Sequence, residues 1–252
     1  MIFPLNLHQQ RKKVMETSSL QESCLARGIQ RCGFHICVLG TIGAGKTTLA
    51  RALQKVITEK EGQCEGFYEP VADNPLLPLF YQDKCRYALS MQIHMLNRRL
   101  EQQRVAQDLA LNGVSSVQDS SVFGDTCFVE MLRKDDILCD EEVMVYSELF
   151  TNMVRDVMYP SLVVFLNCPP DVSLGRIKKR GRDFEGGISF DYVSKLNAEI
   201  KTLCDEFRRY TYVKEIDASP DLTPEEIEQQ ARIIYDKLKM LRSEPILNRM
   251  GV

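Results

Sequence analysis

The chain has 252 residues, 44% of them hydrophobic and 27% charged, with a formal net charge of −3. That balance is ordinary for a globular protein with a sizeable core, and it gives no general reason to expect nucleic-acid or membrane partners, so any positive field must be local. No apolar run approaches the roughly 20 residues a bilayer-spanning helix needs. The nine cysteines are scattered, without a C-x-x-C pair and with only three histidines beside them, which argues against a zinc site. An odd set of unpaired thiols suits a reducing compartment, so a cytoplasmic location is expected.

Residues 1–33 begin with a short apolar stretch broken by Pro4, and Arg11-Lys12-Lys13 follows it. That is the wrong order for a secretory signal. The segment reads as an N-terminal extension that packs outside or in an oligomer, with an organelle-targeting role left open. Residues 34–243 read as one domain and 244–252 as a C-terminal tail.

The first strand, Ile36-Cys37-Val38-Leu39, runs into Gly40-Thr41-Ile42-Gly43-Ala44-Gly45-Lys46-Thr47-Thr48, which fits G-x-x-x-x-G-K-[ST]. Leu49, Leu53, Val56 and Ile57 then recur at helical spacing. Strand, glycine turn and helix form the context in which this motif binds a triphosphate. Glycines let successive backbone N–H groups and a helix N-terminus face the anion. Lys46 adds a mobile charge toward the outer phosphates, and the Thr47 hydroxyl can ligate Mg²⁺. Gly40, Gly43, Ala44, Gly45, Lys46, Thr47 and Thr48 are therefore the expected ATP-binding set.

A second strand over Cys64–Glu69 ends at Pro70, and Asp73-Asn74-Pro75 turns the chain toward a short helix near Leu79–Tyr81. Arg86 to Leu111 reads as a long helix, polar along much of its second half. Val114–Val117 is a third strand closing on Gln118-Asp119. Val143–Met158 reads as a helix whose apolar stripe is wide enough to meet both the sheet and a partner helix, plausibly of another subunit. Leu162–Leu166 is a continuous apolar strand and Tyr212–Ile216 a fifth. Thr223-Pro224-Glu225-Glu226 opens the last helix with an N-cap and a capping-box glutamate. Strands alternating with helices predict a parallel sheet with ligands at the strand C-terminal ends. Glu69 and Asp119 fall there, on strands expected beside the first, and carboxylates there can act as general base or hold Mg²⁺. Arg176, Lys178, Lys179, Arg180 and Arg182 crowd before Gly186-Gly187. They read as a closing lid that neutralises phosphate charge. The base signature N-K-x-D of GTPase switches is absent.

These segments together resemble the deoxyribonucleoside kinase family, and among its members the bacterial-type deoxyadenosine and deoxyguanosine kinases. The resemblance covers residues 35 to about 243. It rests on Glu69-Pro70-Val71, the spacing of Tyr81, Gln92 and Arg99, Asp119-Ser120-Ser121-Val122-Phe123-Gly124-Asp125, and Arg176-Ile177-Lys178-Lys179-Arg180-Gly181-Arg182. It implies an α/β P-loop kinase with a five-stranded parallel sheet flanked by helices and a short arginine-rich lid. The implied reaction moves the ATP γ-phosphate to a deoxynucleoside 5′-hydroxyl, with Glu69 as base and Lys46, Arg176 and Arg180 stabilising charge. Arg180 and Arg182 would hold the donor phosphates. Tyr81 and Glu185 would hold the sugar 3′-hydroxyl, and Gln92, Arg99 and Asp125 would read the base. Thr47 and Asp119 would hold Mg²⁺. The resemblance further implies purine deoxynucleoside salvage with deoxyadenosine first and deoxyguanosine or deoxycytidine behind. It also implies feedback by a deoxynucleoside triphosphate and a homodimer or larger homo-oligomer. One residue departs from the pattern: Ser120 stands where the family carries arginine. An active enzyme is expected on the strength of Glu69, Lys46, Thr47 and the lid, with a weakly active nucleotide-binding pseudokinase as the alternative.

Overall fold

The computed structural model describes residues 9, 32–68, 74–182 and 185–243. Five parallel strands build its centre: β1 (His35–Gly40), β2 (Cys64–Phe67), β3 (Ser115–Asp119), β4 (Leu162–Asn167) and β5 (Tyr212–Asp217), in the order β2-β3-β1-β4-β5. β1 is central and buried throughout. It pairs with β3 through Ile36–Val117 and with β4 through Val38–Val164. β2 therefore does not neighbour β1, contrary to the expectation from sequence, because β3 lies between them.

Helices cover both faces: α1 (Lys46–Glu61), α2 (Leu77–Gln82), α3 (Lys84–Leu111), α4 (Asp125–Lys134), α5 (Asp140–Met153), α6 (Pro170–Arg180), α7 (Phe190–Phe207) and α8 (Pro224–Ser243). The period-two alternation of the strands divides the core in two. Ile36, Val38, Val164 and Leu166 face α1 and α8, meeting Leu53, Val56, Ile57, Ile234 and Leu238. Leu39, Val163 and Phe165 face the opposite way, toward α3, α4, α5 and α7. There Phe123 packs edge-on against Phe207, with ring centroids 5.6 Å apart, and against Phe150 at 6.3 Å. Burying such a side chain contributes about 1.5–3 kcal/mol.

Two helices, α4 and α7, were not foreseen, and α5 ends at Met153 rather than continuing to Met158. Side chains from the polar half of α3 capture the backbone beyond that end. Gln107 Nε2 donates to the Asp156 carbonyl at 3.3 Å and its Oε1 accepts from the Met158 N–H at 2.9 Å. Gln103 Nε2 donates to the Met158 carbonyl at 3.3 Å. A backbone satisfied in this way has no need of helical partners. The same Gln103 Nε2 lies 2.9 Å from His35 Nε2, which must accept, so the His35 proton sits on Nδ1 and is donated to Ser116 Oγ at 3.0 Å. Burial holds this histidine down at about 4, far below its ordinary value, despite the bond to Gln103.

Among the described residues seven cysteines are free and Cys32 is disulfide-bonded, which corrects the expectation of wholly unpaired thiols. Among the described residues no helix is long and apolar enough to cross a membrane.

Candidate active site

The turn after β1 carries the phosphate-loop geometry that the motif predicts. Gly43 and Gly45 have φ of 78° and 94°, a region that L side chains enter only with strain. A Cβ on Gly43 would also stand 2.8 Å from the Ser173 carbonyl oxygen. From the other side, the Ser173 hydroxyl donates to the Ile42 carbonyl, tying α6 to the loop. Lys46, the first residue of α1, donates from Nζ to the Thr41 carbonyl at 3.0 Å.

The next residue, Thr47, donates its hydroxyl to Asp119 Oδ2 at the end of β3. Asp119 is 4% exposed, and its Oδ1 is buried with no hydrogen-bond partner among the described residues. A carboxylate oxygen without a partner beside a hydroxyl is a donor set suited to a hard cation such as Mg²⁺. The residues present therefore fit the expected metal. Immediately after Asp119 the chain turns sharply: Ser120 is held at φ 74°, with its N–H on the Val38 carbonyl at 2.9 Å. A left-handed serine costs on the order of 1 kcal/mol, and such strain concentrates at working sites.

Facing this strand end is a cavity of about 290 Å³. Its phosphate-loop side is formed by Ile42, Gly43, Lys46 and Thr47, and its far side by Asn74, Leu77, Phe80, Tyr81, Met91, Gln92, Met95, Arg99, Phe128 and Tyr192. Arg51, Tyr68, Asp119, Arg180, Arg182 and Glu185 complete it. Gln92, 4% exposed, and Arg99, 6% exposed, reach it from the same face of α3, about two turns apart. Arg99 forms an ion pair with Asp125, the fully buried first residue of α4. Asn74 accepts the Leu76 N–H on Oδ1 at 3.0 Å, which fixes its amide so that Nδ2 points at the thioethers of Met91 and Met95, 3.5 and 3.2 Å away. Burial raises the Tyr192 hydroxyl well above its ordinary value, so it remains a neutral donor.

The C-terminal end of α6 adds the arginines. Arg180 makes a bidentate pair with Glu185, Nη2–Oε1 at 2.5 Å and Nε–Oε2 at 3.2 Å, and Arg182 Nη1 joins the same carboxylate at 3.3 Å. Arg176 does not join them. Its guanidinium donates to Asp221 Oδ1 at 3.0 Å and to the carbonyls of Ala218 and Pro220 at 2.7 and 2.8 Å. The expected three-arginine clamp is therefore divided. Residues i and i+4 share a helix face, but these side chains are long: the loop between β5 and α8 offers Arg176 carbonyls and a carboxylate, while Arg180 is held by Glu185. Arg176 lines a second cavity of about 400 Å³ with Ala44, Gly45, Thr48, Ile216 and Pro220. Of the expected ATP-binding residues, Gly43, Lys46, Thr47, Arg180 and Arg182 face the first cavity, and Ala44, Gly45 and Thr48 the second; Gly40 ends β1 beneath the loop. Glu69, the expected base, lies outside the described residues; the chain is described up to its neighbour Tyr68, which lines the first cavity.

Sequence reasoning passed over Arg51, Asn74, Met91, Met95, Phe128 and Tyr192. Position 51 repeats the face of Thr47 at i+4, and that spacing was the one signal available for it. The buried thiols offer no competing chemistry: burial pushes Cys37 and Cys64 up to about 12, so neither is a nucleophile.

Known proteins resemble the chain along most of its length. The chain is 34% identical over 209 residues to a deoxyadenosine kinase of Dictyostelium discoideum, covering 83% of this chain and 82% of that protein. It is 38% identical over 161 residues to a deoxyguanosine kinase of Lactobacillus acidophilus, covering 62% and 66%. A solved structure of deoxyadenosine kinase from M. mycoides with bound dATP superposes with a TM-score of 0.67 at 27% identity, covering 81% of this chain and 99% of the other. The model of the deoxynucleoside kinase family matches residues 36–241, and the chain belongs to that family.

Proposed function

We propose that this deoxynucleoside kinase transfers the γ-phosphate of ATP to the 5′-hydroxyl of deoxyadenosine by preference, with deoxyguanosine and deoxycytidine behind, in purine deoxynucleoside salvage. The observation that carries this reading is a shared cavity. The phosphate loop with Asp119 occupies one side, and a buried amide, Gln92, with a buried ion pair, Arg99–Asp125, occupies the other.

Gln92 offers an acceptor and donors side by side, which suits a base edge that carries an amino group next to a ring nitrogen. The Arg99–Asp125 pair adds donors and an acceptor, and so would admit a 6-amino or a 6-oxo group. Tyr81 and Glu185 hold the 3′-hydroxyl in this reading, and Tyr81 crowds a 2′-hydroxyl. Glu69 takes the 5′-hydroxyl proton, mainly orienting the nucleophile, because the transition state of phosphoryl transfer is loose. Lys46, Arg180 and Arg182 face the donor phosphates. Thr47 and Asp119 would hold Mg²⁺, which when bound would neutralise the charge that develops on the transferring phosphoryl group. Arg176 shapes the second cavity, which continues from the loop past Thr48 and suits the donor base.

An ATP-consumption assay across the four deoxynucleosides and their ribose counterparts tests the ranking. The expected order is deoxyadenosine first and ribonucleosides last; thymidine as the best substrate would overturn it. In the same proposal a deoxynucleoside triphosphate inhibits by occupying donor and acceptor sites together. The protein assembles as a homodimer or larger homo-oligomer, which the exposed apolar residues Val105 on α3 and Met144 and Val145 on α5 support. The kinase domain spans 34–243, and the predominance of free thiols among the described residues, seven beside the disulfide-bonded Cys32, supports a cytoplasmic location.

A further inference from the structure

The cations around the first cavity are not equivalent. Arg180 and Arg182 give their guanidinium groups to Glu185, and Arg99 gives its own to Asp125. Among the described residues, Lys46 and Arg51 are the cations lining this cavity that make no ion pair with a carboxylate. Lys46 is accounted for by the phosphate loop. Arg51 belongs to no motif.

Its setting is nevertheless built. Arg51 follows Thr47 by one turn of α1, so the two side chains leave the same face of the helix. The Arg51 guanidinium carbon lies 4.6 Å from the centroid of the Tyr68 ring. That ring is pinned in turn: the Tyr68 hydroxyl donates to Gln54 Oε1 at 2.5 Å, and Gln54 Nε2 donates to the Cys64 carbonyl at 3.1 Å. Gly66 leaves the space for this, because a Cβ there would stand 2.5 Å from both the Tyr68 hydroxyl and Gln54 Oε1. A guanidinium stacked on an aromatic face keeps its in-plane N–H donors available to an oxyanion. A solvated surface arginine needs no such platform. The end of β3 supplies no positive charge of its own, since Gln118-Asp119-Ser120-Ser121 carries no cationic side chain.

We propose that Arg51 is a catalytic residue that contacts the γ-phosphoryl group during transfer, with Tyr68 and Gln54 as its positioning residues. The assignment rests on the phosphoryl-transfer function proposed above. In that transfer the bond from the γ-phosphorus to the β,γ-bridging oxygen breaks as the bond to the 5′-oxygen forms. The 5′-hydroxyl proton passes to Glu69, and Arg51 exchanges none; it meets the charge spread over the equatorial oxygens.

The test compares the full-length wild type, Arg51→Gln, Arg51→Lys and Tyr68→Leu in steady-state kinetics with Mg·ATP and deoxyadenosine, alongside Mg·ATP affinity and thermal melting. Arg51→Gln is expected to lower kcat by about 10²-fold, the scale of losing one transition-state donor. Mg·ATP affinity and melting temperature stay at wild-type values, because the side chain is exposed and its contact forms during transfer. Arg51→Lys keeps the charge and recovers part of the loss, and Tyr68→Leu loses less than Arg51→Gln. An Arg51→Gln enzyme with wild-type kcat, or one whose kcat loss is matched by lost Mg·ATP affinity, overturns the assignment while the kinase reading stands. A wild type that turns over no deoxynucleoside overturns both.

Discussion

Thr47 and Asp119, 72 residues apart in sequence, are joined by a hydrogen bond from the Thr47 hydroxyl to Asp119 Oδ2, and the second carboxylate oxygen is left buried without a partner among the described residues. The strand end is thus arranged for a ligand rather than for stability, since an unsatisfied buried oxygen costs about 1–3 kcal/mol.

Replacing Asp119 with Asn keeps the shape and removes the charge. Turnover is expected to fall at least about 10²-fold, with the Mg²⁺ concentration for half-maximal rate moved upward. Thermal stability should hold or rise, because the amide can donate where the carboxylate could not. Metal titration of the kinetics with a melting curve on the same preparation checks both parts.

The Arg99–Asp125 pair predicts an asymmetry. Arg99→Met leaves a fully buried carboxylate uncompensated and should destabilise the protein by about 3–5 kcal/mol. The double change Arg99→Met with Asp125→Asn should recover much of that loss. Gln92→Ala, which breaks no side-chain hydrogen bond among the described residues, should lower kcat/KM for deoxyadenosine by about 10²-fold while leaving stability nearly untouched. Urea unfolding separates the two behaviours.

His35 makes stability depend on pH in a defined window. Folded, it titrates at about 4; unfolded, at 6.5. Below 6.5 the unfolded chain binds a proton that the folded chain refuses, so stability present above 6.5 declines as pH falls and the decline levels off near 4. The gap corresponds to about 3 kcal/mol. Denaturant unfolding from pH 7 to 4 should show this slope, and His35→Gln should flatten it.

Gly43→Ala should impair the phosphate loop more than the fold. The positive φ and the nearby Ser173 carbonyl add about 1–3 kcal/mol of strain, which the loop relieves by shifting away from α6. The expected result is a marked loss of Mg·ATP affinity, measured by titration calorimetry, with the cooperative unfolding transition retained.

Much of the architecture could be read from the chain because the periodicity was unambiguous. The unbroken apolar runs Ile36–Leu39 and Leu162–Leu166 have one physical solution, a strand covered on both faces. The phosphate loop was legible for the same reason, since its glycines sit where φ must be positive. The end of α5 was not, because it depends on Gln103 and Gln107 reaching across from another helix. The placement of Arg176 was not legible for a related cause: the spacing to Arg180 is local information, whereas the carbonyls that hold it belong to a loop some 40 residues onward. Arg51 escaped notice because a lone basic residue on a helix normally means a wet surface, and its platform is assembled from a different strand.

The three-way pairing of Glu185 has a consequence for the order of events. One carboxylate serves two guanidinium groups on the phosphate side of the cavity, and it is also the group proposed to meet the sugar. On the proposed reading, a nucleoside hydroxyl that takes up part of this carboxylate's accepting capacity would weaken its hold on Arg180 or Arg182 and leave those donors for the phosphates. Acceptor binding and donor grip would then draw on a single negative charge, an interlock that would disfavour spending ATP on water while the acceptor seat is empty.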